Sequence, residues 1–131
     1  MRGGALKANR CIKNLLRFIN VLQRNSVDRV CLEDCCTKPY LGPTINGVCY
    51  NTRVISLYNC QGNLFTSEYL TDGVLATSST FRIQDIQDDC CTLLILSNNN
   101  GVYSSTGQCV TVDIGCICAV KCLSDEQISN L

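Results

Sequence analysis

The chain has no histidine, no tryptophan, two prolines and one methionine among its 131 residues. The missing histidine takes away the side chain that titrates nearest neutrality, and with it the usual general base of Cys–His and Ser–His nucleophiles. It also takes away zinc's commonest nitrogen ligand. No C-x-x-C redox pair, phosphate-cradling glycine loop or paired-carboxylate pattern stands in its place, so nothing in the sequence supports catalysis. Charge is sparse as well: 17% of residues are charged and 46% apolar, a balance outside the disordered class, and two prolines are too few for linker composition. A chain of 131 residues suffices for one domain with its own core. No apolar run approaches ~18 residues, so no membrane span is expected. The N-terminal MRGGALKANRCIKNLLRFINVLQRN breaks its apolar residues with charges and lacks the continuous apolar stretch of a secretory signal. Synthesis in a reducing cytoplasm, without export by that route, is the expectation.

What the sequence does have is cysteine, twelve in all, a density at which a short chain is a disulfide scaffold or a metal protein. The formal net charge is zero, which favours association over self-repulsion, but it is unevenly placed. Residues 1–27 carry Arg2, Lys7, Arg10, Lys13, Arg17 and Arg24 and no acid, whereas residues 28–131 hold five bases and all eleven acids, so the parts are +6 and −6. A basic arm on an acidic body can dock head to tail on a neighbour; the plainer reading is a solvated helix face.

Ile12, Leu15, Leu16, Ile19 and Leu22 recur at helical spacing with Lys13, Arg17 and Asn20 between them, predicting one amphipathic helix over 10–24. A transit peptide or membrane-surface anchor is the competing reading of such a basic helix. Residues 1–28 then form a basic arm with its helix, and 29–52 a turn-rich connector bearing Cys31, Cys35, Cys36 and Cys49. Beyond it, β-rich segments run over Arg53–Asn59, Asn63–Leu70, Thr80–Ile86, Cys90–Ser97, Gln108–Ile114 and Cys116–Cys122. Turn signals lie at Asn59–Gly62, Thr71–Gly73, Gln87–Asp89 and Asn98–Gly101. The expected fold is mainly β: an antiparallel β-sandwich over 53–123, with a jelly roll as its variant, preceded by the helix and followed by a short tail, 124–131. In QCVTVDIGCICAVKC strict alternation puts Val110, Val112, Ile114, Cys116, Cys118, Val120 and Cys122 on one face and Cys109, Thr111, Asp113, Gly115, Ile117, Ala119 and Lys121 on the other. Gly115 suggests a bend at which the register shifts.

Zinc is weighed first for the sulfurs, since Cys31-x3-Cys35, Cys116-x-Cys118 and Cys118-x3-Cys122 are close pairs, but no C-x2-C knuckle occurs. Disulfides remain. Neighbours in a strand face opposite ways, so one of Cys90 and Cys91 faces outward, and Cys116 and Cys118, one residue apart, sit at the limit for bonding each other. A turn near Asn98–Gly101 would bring Cys90 or Cys91 near Cys116, the simplest bridge within the chain. Cys11, Cys31, Cys35 and Cys36 lie on segments that reach outward and are candidates for bridges between subunits. Cys49, Cys90, Cys91, Cys109, Cys116, Cys118 and Cys122 are candidates for bridges within the chain or a lattice. For Cys60 and Cys118 the competing reading is a small buried hydrophobe.

The run CVTVDIGCICAVKCLSDEQ, with Cys109, Cys116, Cys118 and Cys122 at gaps of x6, x and x3, resembles the CotY/CotZ/ExsY family of spore coat and exosporium proteins. RFINVLQ, PYLGPTINGVCYNTRVISLYN and TFRIQDIQDDCCTLLIL extend the resemblance over residues 11–124. It implies a structural protein, not an enzyme, that self-assembles into an ordered layer locked by disulfides. It further implies synthesis in the mother cell, a place in the coat, crust or exosporium, and partners that are further copies and other coat or exosporium proteins, with no cofactor, nucleic acid or membrane. The connection around Ser97–Gln108 is shorter than in typical members, and the His-bearing N-terminal segment of some is absent. A second hypothesis from another class is a zinc-stabilised module whose connector cysteines hold the metal and whose basic helix contacts an acidic partner such as nucleic acid.

Overall fold

The computed structural model describes residues 10–24 and 50–131. Cys31, Cys35, Cys36 and Cys49, with nearly all of the expected connector, lie outside the described residues. The elements in chain order are helix α1 (Arg10–Arg24), strands β1 (Thr52–Asn59), β2 (Ser67–Thr71), β3 (Val74–Ser78), β4 (Thr80–Gln87), β5 (Cys90–Asn99) and β6 (Val102–Asp113), a 3-10 turn (Ile114–Cys116), and β7 (Ile117–Glu126). The fold is mainly β, antiparallel and preceded by one helix, as expected. A five-stranded sheet has the order β6-β5-β4-β1-β7, and a two-stranded sheet pairs β2 with β3. Because β6 and β7 occupy opposite edges of the larger sheet yet are joined by the three residues Ile114–Cys116, the sheet must curl until those edges approach.

Two tight turns carry the backbone chemistry their sequences call for. Asp72-Gly73 between β2 and β3 has φ of 52° and 78°, and Asn100-Gly101 between β5 and β6 has 55° and 88°, the doubly left-handed geometry that Asp-Gly and Asn-Gly adopt at low cost.

The curl encloses the main core. Leu16 and Ile19 of α1, both without accessible surface, pack on Ile55, Leu57, Phe81, Ile83, Leu93 and Ile95. A smaller cluster of Val54, Leu94, Leu96 and Ile128 covers the other face, so β1 and β5 are buried on both sides, and the Cys91–Leu96 stretch of β5 is accordingly almost wholly apolar. Ile128 is pinned there by Asn51, whose Nδ2 donates to its carbonyl at 2.9 Å and whose Oδ1 accepts from its N–H at 3.1 Å.

β1 and β4 share one register pair, Ile55 with Phe81, and then splay. The Gln23 amide at the end of α1 enters the gap: its Oε1 accepts from the Arg53 N–H at 3.0 Å and its Nε2 donates to the Ile83 carbonyl at 2.9 Å. One side chain thus satisfies a donor and an acceptor that a continuous ladder would have paired. Nearby, the buried Arg53 guanidinium meets Asp125 across β1 and β7, with Nε to Oδ1 at 2.9 Å and NH2 to Oδ2 at 3.3 Å.

The basic helix lies on its own acidic body. Lys13 Nζ is 2.8 Å from Asp89 Oδ1 and Arg24 NH2 is 3.4 Å from Asp85 Oδ1. Leu16, Ile19 and Leu22 anchor the helix in cis, and two of its bases meet acids of the same chain. Arg10 and Arg17 remain exposed on its outer side.

Candidate functional site

Cysteine is the only reactive side chain the sequence offers in quantity, so the site is built from where the fold puts its sulfurs. Asn59 ends β1 and folds the following turn around itself: its Oδ1 accepts from Gln61 N and Asn63 N, each at 2.9 Å, and Gly62 takes φ of 84°. The turn holds Cys60 outward. On the facing strand the ladder pairs Tyr58 with Ala119 and Asn59 with Ile117, leaving Cys118 as the extra residue of a β-bulge. Cys60 and Cys118, both exposed, are joined in a disulfide with Cα atoms 4.8 Å apart, closing 58 residues of chain. Such a loop closure stabilises by about 4 kcal/mol in the chain-entropy account.

The strict-alternation reading of the C-terminal run is correct as far as Ile114 and then fails. Asp113 Oδ1 accepts from Gly115 N at 2.8 Å and nucleates the 3-10 turn, which advances the chain by an odd step and exchanges the faces. Ile117 is therefore buried, whereas Cys116 and Cys118 are exposed. The bulge at Cys118 exchanges them back, so Val120 and Cys122 again pack against the core. Cys122 is itself disulfide-bonded.

Among the described residues Cys11, Cys90, Cys91, Cys109 and Cys116 are free. The hairpin does set β5 against β6, but it places Cys90 opposite Asp113 and Cys91 opposite Val112. The expected bridge from Cys90 or Cys91 to Cys116 is thus corrected: the ladder stops short of Cys116, which the 3-10 turn carries past the register. Cys90 is exposed and Cys91 has no accessible surface. Burial first, and the nearby Asp85 carboxylate second, push the Cys91 thiol up to about 12, so it stays protonated and unreactive at neutral pH. Reading Cys60 as a small buried hydrophobe is also corrected, since it sits in an exposed turn.

Three of the free thiols belong to segments that meet at one end of the curled sheet. Asp89, in the β4–β5 turn, accepts Lys13 from α1 and offers its carbonyl to Ile114 N at 2.8 Å. Cys11 lies two residues before Lys13, Cys90 directly follows Asp89, and Cys116 is two residues beyond Ile114 and two before the Cys60–Cys118 bridge. Cys109 stands apart on β6, opposite Leu94. Among the described residues no three His, Cys, Asp or Glu side chains cluster as a metal ion requires, and no helix is long and apolar enough to cross a membrane. The connector cysteines on which the zinc hypothesis relied lie outside the described residues.

No curated protein and no solved structure matches the chain. A family profile does match, over residues 3–102, from the basic arm to the β5–β6 turn; the cysteine run from Cys109 to Cys122 lies beyond it. That match spans most of the chain, and by it the chain belongs to the Spore coat protein Z family.

Proposed function

We propose that this chain is a structural subunit of the spore's outer layer that associates with further copies of itself and is then locked by disulfides into an ordered protective lattice. The observation that carries the reading is the placement of Cys11, Cys90, Cys109 and Cys116, four free thiols on the outside of a member of a spore coat family. A buried thiol serves packing, but an exposed one contributes nothing to the core and is a liability unless it reacts. Apolar surface supports the non-covalent stage: Leu70 and Leu75 face each other across the β2–β3 hairpin at 58% and 59% exposure. Contiguous exposed apolar side chains of this kind mark association surfaces. The chain acts in the coat, crust or exosporium after synthesis in the mother cell, and its partners include other proteins of those layers. The site's chemistry is thiol, carboxylate and apolar surface without histidine, which suits a non-enzymatic role.

The test is electrophoresis of air-oxidised protein with and without reductant, alongside electron microscopy of the same sample. A ladder of reductant-sensitive oligomers and an ordered array are expected. A monomer band without reductant and a field of dispersed particles would overturn the reading.

A further inference from the structure

An exposed disulfide beside an exposed free thiol is a reactive pair, and this chain places one at the end where α1, the β4–β5 turn and the 3-10 turn converge. We propose that the Cys60–Cys118 disulfide is a thiol–disulfide exchange site whose attacking group is Cys116 of a second copy of this chain. The proposal rests on the covalent-shell reading above and deepens it by saying which bond yields and to what.

The geometry favours attack between copies over attack within one. Cys116 and Cys118 are separated only by Ile117, which is buried and whose N–H closes the 3-10 turn on the Ile114 carbonyl. In extended chain such a pair sits at about 6.5–7 Å between Cα atoms, at the limit for a bond, and the buried Ile117 holds the backbone from folding tighter. A second copy meeting this end through a two-fold contact escapes that restriction, because an isologous interface sets each copy's Cys116 against the other's disulfide. The site also keeps its shape while the sulfur changes partner. Asn59 holds the Cys60 turn through its own side chain, and the β1–β7 ladder continues on both sides of the bulge at Cys118. Neither residue belongs to the core, so breaking the bond exposes no apolar surface.

The step balances without an external oxidant. The Cys116 thiolate of one copy attacks the Cys118 sulfur of the other, a Cys116–Cys118 bond forms between copies, the Cys60–Cys118 bond breaks, and its electron pair leaves with Cys60 as a thiolate that takes a proton from water. One disulfide is consumed and one formed, and the exposed Cys60 thiol that appears can attack the disulfide of a further copy. Cross-links then spread by exchange through copies already in contact, no transfer after the first disulfide needing a further oxidant.

Purified chain carrying its native disulfides is incubated under argon with a chelator at about pH 8.5, where a substantial fraction of an ordinary thiol is ionised. It is then quenched by alkylation, run without reductant, and titrated for free thiols. Covalent dimers at an unchanged thiol count per chain are expected, with a Cys116–Cys118 or Cys116–Cys60 bridge between isotopically distinct copies. Cys116→Ser, which leaves the disulfide intact, should slow dimer formation about tenfold or more, while Cys109→Ser should not. Absence of dimers under argon, loss of two thiols per bond formed, or full speed in the Cys116→Ser variant overturns the exchange proposal. A parallel sample in air separates the two claims: cross-linking there alone leaves the shell reading standing, and cross-linking in neither sinks both.

Discussion

Cys90 and Cys91 stand side by side in β5, one in water and one without accessible surface. Native protein treated briefly with a maleimide should carry label at Cys90 and none at Cys91; equal labelling would mean that β5 is not seated as described. The same burial makes a pH prediction. The Cys91 thiol ionises at 9.0 in the unfolded chain and is pushed up to about 12 in the fold, so its contribution to stability is intact below the first value and is lost as pH rises toward the second. Over that window stability should fall by up to about 1.4 kcal/mol per pH unit, and Cys91→Ala should flatten the slope seen in urea titrations. The Arg53–Asp125 pair tests a different residue-scale claim, that two charges nearly out of water hold each other in place. Asp125→Asn leaves the guanidinium buried against a neutral amide and should cost about 3–5 kcal/mol in chemical denaturation. A loss below 1 kcal/mol, the range of a solvent-exposed pair, would contradict that burial.

Gln23 decides how α1 meets the sheet. Gln23→Leu keeps the size of the side chain and removes its hydrogen bonds to the Arg53 N–H and the Ile83 carbonyl, at about 2–4 kcal/mol for the two together. Hydrogen exchange should accelerate at Arg53 while β5 stays protected; an unchanged denaturation midpoint would mean that the splay between β1 and β4 is filled otherwise. The helix itself was legible in the sequence because the 3.6-residue recurrence of Ile12, Leu15, Leu16, Ile19 and Leu22 has no rival reading as a strand. The Asp72-Gly73 and Asn100-Gly101 turns were legible because those dipeptides tolerate positive φ. Strand β3 was not, since Val-Leu-Ala-Thr-Ser does not alternate and the hairpin it completes is largely exposed. Neither was the first half of β6, where Ser104, Ser105, Thr106 and Gly107 read as loop. There the ladder skips residues and Thr106 Oγ1 replaces a lost backbone bond by donating to the Ile95 carbonyl at 2.7 Å. The Cys60–Cys118 bond depends on a bulge and a 3-10 turn that exchange faces twice within five residues, which strict alternation cannot express.

For the molecule as a whole, sulfur and charge divide the work. The basic arm and acidic body that looked made for a neighbour are in part neutralised within the chain, through Lys13 with Asp89 and Arg24 with Asp85. Exposed pairs of this sort contribute about 0–1 kcal/mol each, so they orient the helix more than they hold it. Among the described residues the outside also carries free thiols and apolar surface, and those are features by which one copy can hold another. The direct test mixes equal amounts of isotopically light and heavy chain, lets the mixture assemble in air, and maps its disulfides by mass spectrometry. Bridges joining light to heavy peptides through Cys11, Cys90, Cys109 or Cys116 are the expected result, with Cys91 left reduced. Bonds found only between peptides of the same isotope, with those four thiols still free, would contradict the account.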